Sequence, residues 1–345
     1  MCRLGLIASF MFIFSITSCQ KDATTNPLTE TNTEGSKAST LTVDAIKATS
    51  LAISYTGFPT SWVTASPINL NGSHDITISG EKIAGGNVPP ITLSNCYNVH
   101  ITKNKLGNST AVGIYLINCK NITIDYNYIY NVSTGVYVEN SSGGGLVVNN
   151  NQIKNVVGPT PRGQFVQFNT VSGPNNIISN NACENIAGYS NPIDGISLFM
   201  SNGTAASPIE VNGNWIRGGG PSNNGSGIML GDYGGSYEVA ANNILVNPGQ
   251  VGIAIAGGDH MTITGNTIFA KAQSFTNVGI YVWGQAGYAV TNSNVSYNKV
   301  KFMSASNQES DDWLASGTPT PTGWSTNTFG ANITSSILPA VITTF

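Results

Sequence analysis

Between Asn118 and Asn140 the chain reads NCKNITIDYNYIYNVSTGVYVEN, where apolar and polar positions alternate in three short runs. The runs are Ile122-Thr-Ile124, Tyr128-Ile129-Tyr130 and Gly135-Val-Tyr-Val138. A period of two predicts strands, with Ile122, Ile124, Ile129, Val136 and Val138 on one side and polar turns between. One such unit cannot bury that side alone, so copies have to stack.

The copies recur along the chain. Aligned on the asparagine between the first two strands, they give Asn104, Asn127, Asn151, Asn181, Asn214, Asn242, Asn266 and Asn298, with Glu81 at the first turn. The third strand returns as GIYL at 113, GVYV at 135, GISL at 195, GIML at 227, GIAI at 252 and GIYV at 279. Spacings of 23 to 33 residues fit three-strand coils with loops of varying length. This grammar resembles the right-handed parallel β-helix of the pectate-lyase-like superfamily over residues 70–302. The expectation is an all-β solenoid of about nine or ten coils, three strands per coil, with terminal caps. Coils stack ~4.8 Å apart. At a tight inward corner an asparagine tolerates left-handed backbone, and its amide can bond the same amide above and below. The asparagines are therefore expected to be scaffold. Cys96 and Cys119 should stack likewise, as a buried thiol ladder or, less simply, a disulfide.

Composition adds limits. The 39 glycines and 9% charged residues suit one elongated β domain, and a net charge of -3 without basic runs argues against nucleic-acid binding. Residues 1–18 carry Arg3 before the apolar run Leu4 to Ile16, and Ile16-Thr-Ser-Cys19 resembles a bacterial lipobox. That resemblance implies a signal peptide, a lipidated Cys19 and anchorage to a bacterial outer membrane, facing the periplasm or the cell surface. The run is short for a transmembrane helix. Residues 19–40 are polar and read as a disordered tether. Residues 41–69, with Val43, Ile46 and Leu51 on one helical face, read as an N-terminal cap. Residues 303–345 read as a C-terminal cap or tail, with Trp313, Leu314 and Trp324 covering the last coil and Asp311 and Asp312 solvated.

Candidate chemistry lies on the outward side of the third strand, which corresponds to the substrate groove of the superfamily it resembles. One outward column is nearly all glycine (Gly113, Gly135, Phe165, Gly195, Gly227, Gly252, Gly279) and reads as a floor. Beside it run Tyr115, Tyr137, Gln167, Ser197, Met229, Ala254 and Tyr281, then Ile117, Glu139, Asn169, Phe199, Gly231, Ala256 and Trp283. Aromatic faces stack on pyranose rings and amides bond hydroxyls, so Tyr137, Glu139, Gln164, Gln167, Asn169, Ser197, Phe199, Tyr233, Tyr281 and Trp283 are the expected glycan contacts. Loops lengthen around residues 154–164, 184–194, 217–226 and 269–278, which points to a central site.

Asp194 is the sharpest catalytic candidate. Asn191-Pro-Ile-Asp194-Gly195 resembles the Asn-Thr-Asp-Gly motif with which polygalacturonase-type glycosidases deliver one catalytic carboxylate, although the rest of that constellation is absent. Asp232 falls about six residues beyond the matching position, roughly 20 Å at strand rise, so Glu184 or Glu139 enters as partner. Lys154, Glu184 and Arg217 share a position in successive coils and form a surface row or one wall of the site. Elimination is the rival chemistry, with Arg162 and Arg217 neutralising a uronate. No metal or other cofactor is expected, and no nucleotide loop, HExxH or CxxC occurs. The reading is a monomeric, lipid-anchored enzyme acting on polysaccharide, with hydrolysis ahead of elimination and a non-catalytic glycan-binding lipoprotein as alternative. Replacing Cys19 with alanine should release the protein from the membrane fraction or leave its precursor uncleaved. Normal processing with unchanged membrane partitioning would refute the anchor.

Overall fold

The computed structural model describes residues 53, 55–159 and 163–345. Cys19, the tether, the helical part of the N-terminal cap and Arg162 lie outside the described residues. Among the described residues the strands form three long parallel sheets of nine, eleven and ten strands and a fourth of two, each inner strand of the long sheets pairing with its counterparts one coil earlier and one coil later. Lys120–Asp125, Tyr128–Val132 and Val136–Ser141 form one coil, as the alternation predicts. Ile122, Ile124, Ile129, Val136 and Val138 are all buried in a single apolar core. The chain is a parallel β-helix.

The helix is longer than its repeat suggests. Val63–Ala65 already pairs with Glu81–Gly86, and Ile68–Asn71 heads the third-strand sheet. At the other end Asp312–Leu314 pairs with Val278–Val282, and Thr328–Phe329 with Lys299–Phe302. These terminal strands have two to four residues, and the last two follow long insertions, too little for periodicity to register. Asp311 is consequently not solvated. It is buried, and its carboxylate accepts from the backbone N–H of Phe302 at 2.6 Å and from that of Gly330. Trp313, expected in a cap, is an outward residue of the tenth third strand.

The asparagine ladder is present, one residue displaced in one coil. It runs Asn104, Asn127, Asn151, Asn181, Asn214, Asn243, Asn266, Asn298 and Asn327, so Asn243 and not Asn242 is the member. From Asn127 onward each Oδ1 accepts two bonds from the coil before it. Asn151 Oδ1, for example, takes the Asn127 backbone N–H at 3.1 Å and the Asn127 amide N–H at 3.0 Å. The left-handed residue is the one preceding the ladder: Tyr126, Asn150, Asn180 and Asn242 have φ of 52° to 54°. The labour is thus divided, one residue turning the corner and the next satisfying buried groups. Cys96 and Cys119 are buried free thiols in a second corner column, where Ser141 Oγ accepts from the Cys119 N–H at 3.0 Å.

The glycine column is a corner, not a groove floor. A Cβ on Gly113 would stand 2.6 Å from the Gly135 carbonyl oxygen and 2.8 Å from the core methyl of Ile129, and one on Gly195 would stand 2.5 Å from the Gly227 oxygen. Stacked backbone leaves no room there for a side chain. Phe165, in the same column, lies in the core.

The ladder yields a discriminating test. Asn151→Ala and Asn243→Gly should each destabilise by ~1–3 kcal/mol, because neighbouring amides lose buried partners. Asn242→Gly should be nearly neutral, since glycine adopts the left-handed conformation without strain. Chemical denaturation decides the matter, and equal losses at 242 and 243 would refute the assignment.

Candidate functional site

Three outer faces compete for the role of working surface. The second-strand sheet holds Lys154, Glu184 and Arg217, and these do stand in register in successive coils. They do not face the third-strand sheet, however, and a C-terminal segment lies over them. Glu184 is buried and accepts from the Ile342 N–H at 3.2 Å and from the Thr343 hydroxyl, with Lys154 Nζ 3.7 Å away. Arg217 donates to the carbonyl oxygens of Ser335 and Leu338 at 3.1 and 3.0 Å. Leu338 and Ile342 pack with Val246 into a small apolar cluster of their own. Glu184 and Arg217 are therefore docking groups for this segment and leave the catalytic set. The tail carries no repeat, so nothing in the sequence pairs it with them.

The outer face of the third-strand sheet is built from the register of its ten strands. In early coils Tyr115 and Tyr137 stand with ring centroids 5.4 Å apart. The Tyr115 hydroxyl donates to Glu139, and the Asn169 amide donates to the Tyr137 oxygen at 2.6 Å. Burial, reinforced by the Glu139 carboxylate, pushes the Tyr115 phenol up from its ordinary value. In the central coils Gln164, Gln167, Asp194 and Ser197 are buried. The residue before each corner glycine turns back to this outer side. Val251 and Val278 pack there with Met229, Ala254 and Tyr281, and Ser226 and Asp194 hold the same position one and two coils earlier than Val251. Asp194 is 3% exposed, and its Oδ1 accepts from the Ser226 N–H at 2.8 Å and hydroxyl at 3.2 Å. It braces the next coil as well as occupying the centre of the face.

Asp232 is closer to this centre than strand counting implies. Ser197 pairs with Met229, but Phe199 pairs with Asp232, so the strand Ser226–Asp232 carries one extra residue. This β-bulge, with Gly231 at φ 66°, swings the half-buried Asp232 into the position expected for Gly231. Tyr281 records the consequence. Burial raises its phenol first, and the charges of both Asp194 and Asp232 raise it further. The Gln285 amide donates to that hydroxyl oxygen at 2.5 Å.

Aromatic rings form two groups on this face. Tyr233 lies 5.1 Å from Phe199 and 5.9 Å from Tyr288, centroid to centroid. Trp283 and Trp313, 45% and 46% exposed, lie 5.8 Å apart and both approach Tyr281 edge-on. Sequence reasoning missed Tyr288, Gln285 and Trp313 in this role. Only Trp313 left a signal, because Asp312-Trp-Leu repeats the alternation of Ile280-Tyr-Val beyond a long insertion.

The chain resembles known proteins in its architecture. A family model described as a right handed beta helix region matches residues 60–181. The catalytic domain of a GH87 alpha-1,3-glucanase in complex with nigerose aligns over 74% of this chain and 50% of its own, at 17% identity and a TM-score of 0.51. An alginate lyase from Paenibacillus sp. str. FPU-7 aligns over 79% of this chain and 94% of its own, at 14% identity and a TM-score of 0.39. A tailspike protein mutant of E. coli bacteriophage HK620 in complex with hexasaccharide aligns over 70% and 54%, at 14% identity and a TM-score of 0.44. This chain spans about half the length of the glucanase domain. No curated protein sequence matches it. At these identities the likeness shows the fold, a right-handed parallel β-helix.

Separating the two faces generates a prediction. Glu184→Ala should loosen residues 335–345 to hydrogen exchange and destabilise the protein by ~1–3 kcal/mol, the scale of lost bonds to a buried charged group. Affinity for any glycan held on the third-strand sheet should stay within about twofold, less than one lost contact would remove. A specific loss of glycan affinity would return Glu184 to the site.

Proposed function

We propose that the chain binds an extended, uncharged glycan along the outer face of the third-strand sheet and hydrolyses it at Asp232. The observation that carries this reading is the bulge that brings the half-buried Asp232 into register with Phe199, on a face that also presents two groups of aromatic rings. Phe199, Tyr233 and Tyr288 offer one stacking platform, Trp283 and Trp313 the other, which suits sugar rings on both sides of a scissile bond. Asp232 is the carboxyl a bound sugar can reach, and it serves as acid or base at the glycosidic oxygen or at water. Asp194, sealed beneath, supports it by bracing Ser226 at the start of the strand that ends in Asp232. The fold likeness to a glucanase domain agrees with this reading without assigning the reaction.

Elimination is less well supported. It needs a cation to neutralise a uronate, and among the described residues none of the ten third strands contains Lys, Arg or His. Arg217 is engaged by the C-terminal segment. The sealing of Asp194 favours one other reading, a glycan-binding module without catalysis. The lipid anchor at Cys19 completes the proposal by placing the protein at a bacterial outer membrane.

Neutral, uronate and amino-sugar polysaccharides, each followed for reducing ends and for the ultraviolet absorbance of an unsaturated product, distinguish the readings. New reducing ends without absorbance, on a neutral glycan, are expected. Absorbance would mean elimination, and binding without either signal a module. Asp232→Asn should lower the rate at least about a hundredfold, the scale of one acid–base contribution, with an unchanged melting temperature. Asp194→Asn should lower the rate and also the stability, because it braces Ser226. A variant at Asp232 that keeps more than about half the wild-type rate would remove the catalytic assignment, given that scale.

A further inference from the structure

The bulge that presents Asp232 is held by a residue outside the groove. Glu238 opens the first-sheet strand Glu238–Ala241 beside core residue Ile209, and it is 0% exposed. Its Oε2 accepts from the Gly231 backbone N–H at 2.7 Å, while Oε1 has no hydrogen-bond partner. Gly235 lies against that oxygen, where a Cβ would stand 3.0 Å away. Burial holds the carboxyl protonated well above the usual carboxylate range, the charge of Asp232 adds to this, and the Gly231 N–H opposes it. Burying a carboxyl with an unpaired oxygen is unfavourable. The group sits at the place where the third strand gains its extra residue and Asp232 enters the face.

We propose that Glu238 is the positioning residue of the site: by holding the Gly231 amide it fixes the bulge that carries Asp232 into register with Phe199. The functional half of this inference rests on the hydrolase reading of Asp232, whereas the clasp on Gly231 does not. Glu238 touches no substrate. It acts through the backbone of the loop it anchors, which otherwise has a left-handed glycine and few alternatives for its inward-facing amide.

Glu238→Gln and Glu238→Leu separate the acceptor from the volume. Glutamine mimics the protonated acid and can still accept from the Gly231 N–H, while leucine fills the space and leaves that amide buried without a partner. Hydrogen exchange across residues 229–233 should match wild type in Glu238→Gln and be at least about tenfold faster in Glu238→Leu. On a glycan that the wild type cleaves, Glu238→Gln should keep at least about half of kcat. Glu238→Leu should lose at least about tenfold in kcat with KM within about threefold, because the aromatic platforms remain while the carboxyl moves. Should Glu238→Leu fail to fold, Glu238→Thr serves in its place, since its hydroxyl is too short to reach Gly231. Unchanged exchange in the leucine or threonine variant overturns the clasp. Faster exchange with an intact rate overturns the positioning role, as does a glutamine variant as impaired as leucine. A wild-type chain that cleaves no glycan overturns the hydrolase reading instead, and exchange, which needs no substrate, still decides the clasp.

Discussion

Each coil of a stacked solenoid must turn three inward corners, and every corner leaves backbone amides with no partner in their own coil. The asparagine column answers this at the corner between the first two strands. One Oδ1 accepts both a backbone and a side-chain N–H from the coil before, as Asn181 does for Asn151. The bond is made only when consecutive corners superimpose, so the ladder fixes register as well as satisfying buried groups. The core side chains, the glycine corners and the outward columns all inherit their alignment from it.

That alignment restricts what the chemistry can use. With each strand locked to its neighbours, an outward side chain cannot be moved along the face by small adjustments. It can only be displaced by inserting a residue. The single register shift between the third strands described here lies between Ser197 and Phe199, and it moves Asp232 by one place. The molecule therefore keeps its scaffold intact and concentrates departure at one bulge, Gly231, with a buried acid behind it. Bulges next to working residues are a common device in sheets for re-aiming a side chain. Here the ladder makes it the principal device available.

The fold was legible because its signals are periodic. Ile122, Val136 and their counterparts alternate at strand period, and Asn104 to Asn298 mark the coils. The phase slipped at Asn242 and Asn243 for a physical reason. The left-handed corner residue and the ladder residue are adjacent and both favour asparagine, so spacing alone cannot separate them. Asp311 was misread because acidic pairs outside a repeat usually face water, whereas this one takes the corner position beside Gly279. For Glu184 and Arg217 the register was readable and the environment was not, since the segment that covers them has no period. Asp232 was misplaced because a bulge adds a residue without changing the surrounding pattern.

The covering of the second-strand sheet bears on which face can work. Residues 335–345 lie over Gln152, Glu184 and Arg217 and bond to them with backbone groups and side chains of their own. Of the charged groups that looked like a catalytic wall, Glu184 is thereby buried, while Lys154 and Arg217 stay half-buried and bonded to the tail. On the first-strand sheet one exposed row, Asp75, Asn98 and Asn121, is joined by hydrogen bonds in which each amide donates to the residue one coil earlier. The third-strand sheet differs from both. It keeps Trp283, Trp313, Tyr233 and Tyr288 exposed, and it is where an accessible carboxylate has been displaced into line with an aromatic ring. Exposed rings of this size are unfavourable in water unless something covers them. A partner with flat apolar faces and hydroxyl edges would meet both requirements of that surface, the rings through stacking and the Asp232 carboxylate through hydrogen bonds, and that is the ground for proposing a glycan over an apolar ligand or a polyanion.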